Sequence, residues 1–213
     1  MIRIYQMFHG IYAISDTRLT PYHALKDMLK QAIRGGITLF QLRDKNTPDS
    51  TLAPLCLPLM DLCHLHQIPF ILNDRIELAI SLQTQGLHIG KKQDNTPYNL
   101  DELRQIRTKF QGILGISCYG DLTLAKNAKL IGADYIAFGS CFKSTTKPSA
   151  KTIPLDIFTQ AKPLNIPMCA IGGIQKDNIA QLKNAQMAAC ISSIWQNDIP
   201  SNVKELLKNF KQG

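Results

Sequence analysis

The chain has 213 residues, 45% of them hydrophobic, and a formal net charge of +8. That length carries one sizeable hydrophobic core, and no apolar run approaches the roughly 20 residues a membrane-spanning helix needs. The lysines are spread without the basic run or aromatic interleaving of a nucleic-acid surface, so the positive charge points to phosphorylated small molecules as partners.

The opening "MIRIYQMFHG" lacks an apolar signal core and a small-residue cleavage site, so it reads as a lead-in to a strand, and a cytoplasmic location is expected. "GIYAIS" (10–15) is the first predicted strand. Leu25, Met28, Leu29, Ala32 and Ile33 then repeat at helical spacing up to Gly35-Gly36. "ITLFQLR" (37–43) is the second strand, followed by a helix over 48–67. "PFILND" (69–74) is the third, with "IELAISLQ" a short helix after it. "GLHIG" (86–90) is the fourth, with a helix near 98–110.

The second half keeps the same beat. "GILGIS" (112–117) precedes a helix near 121–131, and "DYIAFG" (134–139) one near 154–161. "PMCAIGG" (167–173) precedes one near 176–185, and "AACISSI" (188–194) leads into the last, near 200–211. No linker or low-complexity tract divides the chain, so a single domain over 1–213 is expected. The six cysteines (Cys56, Cys63, Cys118, Cys141, Cys169, Cys190) have no paired spacing and sit mostly in apolar runs, as small hydrophobes rather than a disulfide framework. "CHLH" at Cys63–His66 lies in a helical stretch with no second ligand cluster, which argues against a metal site.

Eight strand–helix units with near-continuous apolar strands imply a parallel sheet covered by helices. The expected fold is α/β, a single (β/α)8 TIM barrel. A doubly wound open sheet is the alternative, without a glycine fingerprint after its first strand.

In a barrel the site lies at the C-terminal strand ends, and here those ends are polar. Strand two ends in Gln41, Arg43, Asp44 and Lys45, strand three in Asn73 and Asp74, and strand five in Ser117. Strand six opens onto "FGSCFKSTTKPSA", with Ser144, Thr146 and Lys147. Strand seven ends in Gly172-Gly173 and strand eight in Ser192-Ser193. Gly172 and Gly173 allow backbone amides to approach an anion, and the start of the next helix adds positive charge; with Ser192 and Ser193 they match the phosphate cradle barrels build from their last two loops. Arg43, Lys45 and Lys147, with Asn73, Ser144 and Thr146, form a second anion site. Asp74 among phosphates implies Mg²⁺. Two anions, one chelated to Mg²⁺, suit the joining of two phosphorylated substrates with loss of pyrophosphate.

These pieces, "YAISD", "GGITLFQLRDK", "ILNDRIELA", "GLHIG", "LGISCY", "GADYIAFGSCFKSTTK", "AIGGI" and "ISSI", resemble the thiamine-phosphate synthase family, which includes the TenI-type thiazole tautomerases. The resemblance implies that Gln41, Arg43, Lys45, Asn73 and Lys147 hold hydroxymethylpyrimidine diphosphate and that Asp74 binds Mg²⁺. It implies that Ser117 faces the pyrimidine, that Ser144 and Thr146 contact the thiazole phosphate, and that Gly172, Gly173, Ser192 and Ser193 cradle it. Lys147 would stabilise the departing pyrophosphate.

The chain departs from the family pattern twice. Where the synthases follow strand four with Gly-Gln-Glu-Asp, it reads "GKKQD", with Gln93 in the position of the second metal ligand and Asp94 one place late. Two places after Ser117, where both branches carry histidine, it has Tyr119. A synthase is the expected activity. A TenI-like tautomerase and a non-catalytic barrel binding phosphorylated thiamine precursors are the alternatives, and a homo-oligomer is left open.

Overall fold

The computed structural model describes residues 8–92, 94–143 and 151–210. Eight parallel strands close into a barrel in sequence order. They are β1 (Gly10–Ile14), β2 (Leu39–Leu42), β3 (Phe70–Asn73), β4 (Gly86–Ile89), β5 (Ile113–Tyr119), β6 (Tyr135–Phe138), β7 (Met168–Ile171) and β8 (Met187–Cys190). Closure comes from β1 against β8, with Gly10 beside Met187 and Ala13 beside Cys190. The barrel is the expected one, and the open sheet is excluded.

The helices are α1 (Tyr22–Gly35), α2 (Asp49–Leu65), α3 (Ile76–Ser81), α4 (Leu100–Lys109), α5 (Leu122–Leu130), α6 (Ile157–Ala161) and α7 (Ile199–Phe210). Among the described residues none is long and apolar enough to cross a membrane. Two expected helices are shorter or missing. The helix near 154–161 is reduced to α6, and a 3-10 turn over Lys162–Leu164 containing Pro163 follows it. The helix near 176–185 is replaced by a 3-10 turn at Ile179–Gln181. Asn178 explains the second loss: its side chain accepts from the Gln175 amide and donates to the Gly173 carbonyl, taking up backbone groups a helix would use.

Strand residues alternate between two apolar layers, as a period of two requires. Tyr12, Ile14, Leu39, Ile71, Tyr135 and Met187 face the barrel axis, whereas Ile11, Phe40, Leu72, Leu87, Ile136 and Ala170 face the helices. The axial layer is tightly fitted. A Cβ on Gly115 would lie 2.0 Å from Cζ of Tyr135, and one on Gly86 would lie 2.1 Å from Cδ1 of Ile71. All six cysteines are buried and free. Cys63 faces the core while His64 and His66 lie on the surface, so "CHLH" does not converge. Trp195 belongs to the core; its indole donates to the Ile14 carbonyl at 2.6 Å and meets Phe40 edge-on, tying the loop after β8 to β1.

Candidate active site

The chain leaves β2 and β3 through two loops that hold each other. Asp44 organises the first: it accepts from the Asn46 and Thr47 amides and from the hydroxyls of Thr47 and Tyr22, at 2.6–2.9 Å. Burial opposes its charge, but these donors outweigh burial and hold the carboxyl down at about 2. Arg75, just after β3, clamps the same loop. It donates to the carbonyls of Asp44 and Thr47 and pairs with Asp49 at 2.9 Å. Asp44 and Arg75 thus fix the path of Arg43 and Lys45. The Arg43 amide donates to Ser15, while its half-buried guanidinium makes no ion pair among the described residues. Lys45 Nζ lies 3.7 Å from Oδ2 of Asp74.

Asp74 occupies the left-handed region at φ 59°. Its amide donates to the His88 carbonyl and its Oδ1 accepts from the Gly90 amide at 2.6 Å, which leaves Oδ2 toward Lys45. Beside it, Asn73 is buried and donates to the same His88 carbonyl. A cavity of about 460 Å³ opens here, lined by Asp74, Lys91, Lys92, Asp94 and Tyr98.

The loop after β4 carries the first departure from the family pattern. It doubles back through a bridge between Lys91 and Pro97. Asp94 is exposed; its Oδ1 takes both the amide and the hydroxyl of Thr96, yet the residue lines the same cavity as Asp74. Gln93 lies outside the described residues. Lys92 is engaged with Glu102 at 3.0 Å, whereas Lys91 sits 5.0 Å from the centre of the Tyr119 ring. The two departures therefore meet as a cation–π pair. Tyr119 itself has φ 54°, next to a register shift that extends β5 past Ser117.

On the barrel axis a chain of buried side chains runs beneath the mouth. Gln41 Nε2 donates to Tyr12 Oη at 2.7 Å, which bonds Tyr135 Oη at 2.8 Å. Tyr135 Oη lies 2.9 Å from His88 Nδ1, and His88 Nε2 lies 2.9 Å from Ser117 Oγ. Burial pushes the His88 imidazole down to about 4, so it is neutral at physiological pH. Gln41 and Ser117 were expected at the site; Tyr12, Tyr135 and His88 were not. Their signal was the strand phase: in step with Gln41 and Ser117, each is a polar residue at an inward position.

On the opposite wall, Gly172 and Gly173 have φ 103° and 63°. A Cβ on Gly172 would lie 2.1 Å from Ser140 Oγ, and one on Gly173 would lie 2.2 Å from the Lys143 carbonyl. The glycines therefore admit the backbone of the loop after β6, whose Cys141 and Phe142 amides bond the Ile171 and Gly172 carbonyls. The amides of Gly172, Gly173, Ser192 and Ser193 make no hydrogen bond to the rest of the chain among the described residues. They are free to meet an anion, but without the expected helix terminus behind Gly173. Ser192 is half-buried; Ser193 Oγ is enclosed with no hydrogen-bond partner among the described residues. Ser144, Thr146 and Lys147 lie outside the described residues.

A parallel eightfold barrel whose C-terminal mouth gathers cations and two carboxylates on one wall and unpaired amides on the other is an α/β barrel of the kind that handles anionic small molecules. Residues 11–194 match the family described as thiamine monophosphate synthase. The chain is 41% identical over 212 residues to a thiamine-phosphate synthase of Wolinella succinogenes, covering 95% of this chain and 94% of that one. It is 37% identical to one of Thioalkalivibrio sulfidiphilus, covering 92% of each. The structure of a thiamine phosphate pyrophosphorylase from Pyrococcus furiosus superposes with a TM-score of 0.83 at 27% identity, over 97% of this chain and 98% of that one. The chain belongs to the thiamine-phosphate synthase family.

Proposed function

We propose that the chain is a transferase of thiamine biosynthesis that joins hydroxymethylpyrimidine diphosphate to thiazole phosphate and releases pyrophosphate. One observation carries the assignment of the mouth to this reaction. Lys45 approaches Asp74, and Asp74 shares a cavity with Lys91, Lys92 and Asp94, so three cations gather around two carboxylates on the wall where a diphosphate would sit.

In this reading Arg43, Lys45 and Lys147 bind the diphosphate, Asn73 supports it, and Gln41 and Ser117 face the pyrimidine. Ser144 and Thr146, with the amides of Gly172, Gly173, Ser192 and Ser193, hold the thiazole phosphate. The C–O bond to the diphosphate breaks with its electron pair, leaving a pyrimidinylmethyl cation. The thiazole nitrogen lone pair then forms the new C–N bond. The cations offset the charge that develops on the leaving pyrophosphate, and the barrel mouth holds the two partners in line.

Mg²⁺ belongs to the same proposal. No cluster of three or more His, Cys, Asp or Glu that could hold a metal occurs among the described residues. One or two carboxylates suit an ion carried in on substrate phosphates. Asp74, whose Oδ2 is left by the Gly90 amide, and Asp94, which lines the same cavity, would hold it. When bound, the ion would supply further charge neutralisation of the diphosphate.

The test is pyrophosphate release by purified protein given both substrates, with and without Mg²⁺. Release that needs Mg²⁺ and falls at least 100-fold in Lys147→Ala is expected from the loss of an electrostatic stabiliser. Intact binding of both substrates with no release would overturn the assignment in favour of a barrel that binds without turnover.

A further inference from the structure

We propose that Tyr12, Tyr135 and His88 are positioning residues that couple Gln41 to Ser117, fixing which presents a hydrogen-bond acceptor and which a donor to the pyrimidine. The proposal rests on the reading above that Gln41 and Ser117 face that ring.

The argument is a count of protons. Gln41, Tyr12, Tyr135 and His88 are all at least 93% buried. The chain they form is wrapped by Phe8, Ile14, Leu39, Ile71, Ala137 and Cys169, so each polar group must find its partner within the chain. Gln41 gives an N–H to Tyr12. The single Tyr12 proton therefore goes to the only other polar atom bonded to it, the Tyr135 oxygen. The single Tyr135 proton goes to His88 Nδ1. A neutral imidazole that accepts at Nδ1 carries its proton on Nε2, which donates to Ser117 Oγ. Ser117 is left with its own proton to give.

The two ends are thus set together. The Gln41 amide oxygen is an acceptor for the ligand, and Ser117 is a donor. Reversing either end would require reversing every bond between them. The matching ligand edge offers an N–H to Gln41 and a lone pair to Ser117, as an exocyclic amine beside a ring nitrogen does on an aminopyrimidine. An oxo analogue has the opposite pattern at the amine position and leaves a buried mismatch.

The surrounding residues are chosen to keep the chain dry and straight. Gly115 leaves the space the Tyr135 ring fills. Phe8 packs against the same ring at 5.5 Å, and His88 stacks on it at 5.5 Å.

Two measurements on Tyr135→Phe, which keeps the ring and removes the link, test this. Nitrogen-15 spectra of the histidine side chains, assigned with His88→Asn, should show His88 of the parent protein wholly in the Nε2–H tautomer, and a mixture of tautomers in the variant. Discrimination between the aminopyrimidine diphosphate and its oxo analogue should fall about tenfold in kcat/KM, with KM for thiazole phosphate unchanged. Tyr12→Phe, which removes the proton that makes Tyr135 a donor, should cut the same discrimination and also release His88 to a mixture of tautomers. An Nδ1–H tautomer in the parent protein, or unchanged discrimination in both variants, overturns the coupling. Ser117→Ala separates the two failures. If it leaves pyrimidine affinity unchanged, the reading of the site is wrong and the proposal falls with it. If it weakens affinity while Tyr135→Phe changes neither readout, only the coupling is wrong.

Discussion

Asp44 illustrates how a strand-end carboxylate can serve a site without touching its substrate. Its four donors freeze the loop that carries Arg43 and Lys45. Asn in its place retains an oxygen for the two amides but cannot accept from both hydroxyls. Asp44→Asn is therefore expected to lower stability by about 1–3 kcal/mol and to raise KM for the pyrimidine diphosphate more than that for thiazole phosphate; urea unfolding and steady-state kinetics check the two halves. The pH dependence follows from the depressed carboxyl. Its stabilising share is complete above about 3.8 and is lost as pH falls toward about 2. The sequence made Asp44 visible as a polar strand end. It could not tell a loop organiser from a ligand, because the distinction lies in Tyr22, 22 residues away, and in the turn geometry at Thr47.

At the scale of elements, what could be read in advance was whatever one strand or helix declares by itself. The near-continuous apolar runs of "GIYAIS" and "DYIAFG" and the helical spacing from Leu25 to Ile33 gave the barrel. What could not be read was set by pairs of elements. Gly115 looks like an ordinary weak point in a strand, but its register partner on the adjacent strand is Tyr135, 20 residues later, whose ring fills the space a side chain would need. Gly115→Ala places a Cβ 2.0 Å from Cζ of the Tyr135 ring, whose hydroxyl is hydrogen-bonded and which is packed on three sides. A cost of about 1–3 kcal/mol is expected, read from thermal unfolding, with loss of the single His88 tautomer as a second sign that the ring has moved. The Gly172-Gly173 pair was legible as a site element for a reason only partly right. The glycines admit the neighbouring loop backbone first, and the expected helix behind them is displaced by Asn178. The loop after β4 was equally opaque: "GKKQD" announces a departure, but the contact between Lys91 and Tyr119 joins two loops that sequence spacing keeps apart.

For the whole molecule, the polar chain on the barrel axis links recognition to stability. His88 is the one histidine in the interior; the other four lie on the surface. Its imidazole titrates near 6.5 in the unfolded chain and near 4 when folded, because burial disfavours the charged ring. Between those values the unfolded state binds a proton that the folded state does not, so stability rises with pH across the window. The contribution is complete above about 6.5 and is lost as pH falls toward about 4. From pH 7.5 to pH 5 the loss amounts to about 2 kcal/mol. Urea midpoints measured at both values should fall by that equivalent in the parent protein. His88→Gln, which cannot titrate, should be less stable at pH 7.5 but should lose much less between the two pH values. An equally steep loss in His88→Gln would place the acid-sensitive group elsewhere and would mean that the ring is not held neutral on the axis. The slope reports the difference in protons bound by the unfolded and the folded ligand-free chain, so the measurement needs neither substrate nor metal.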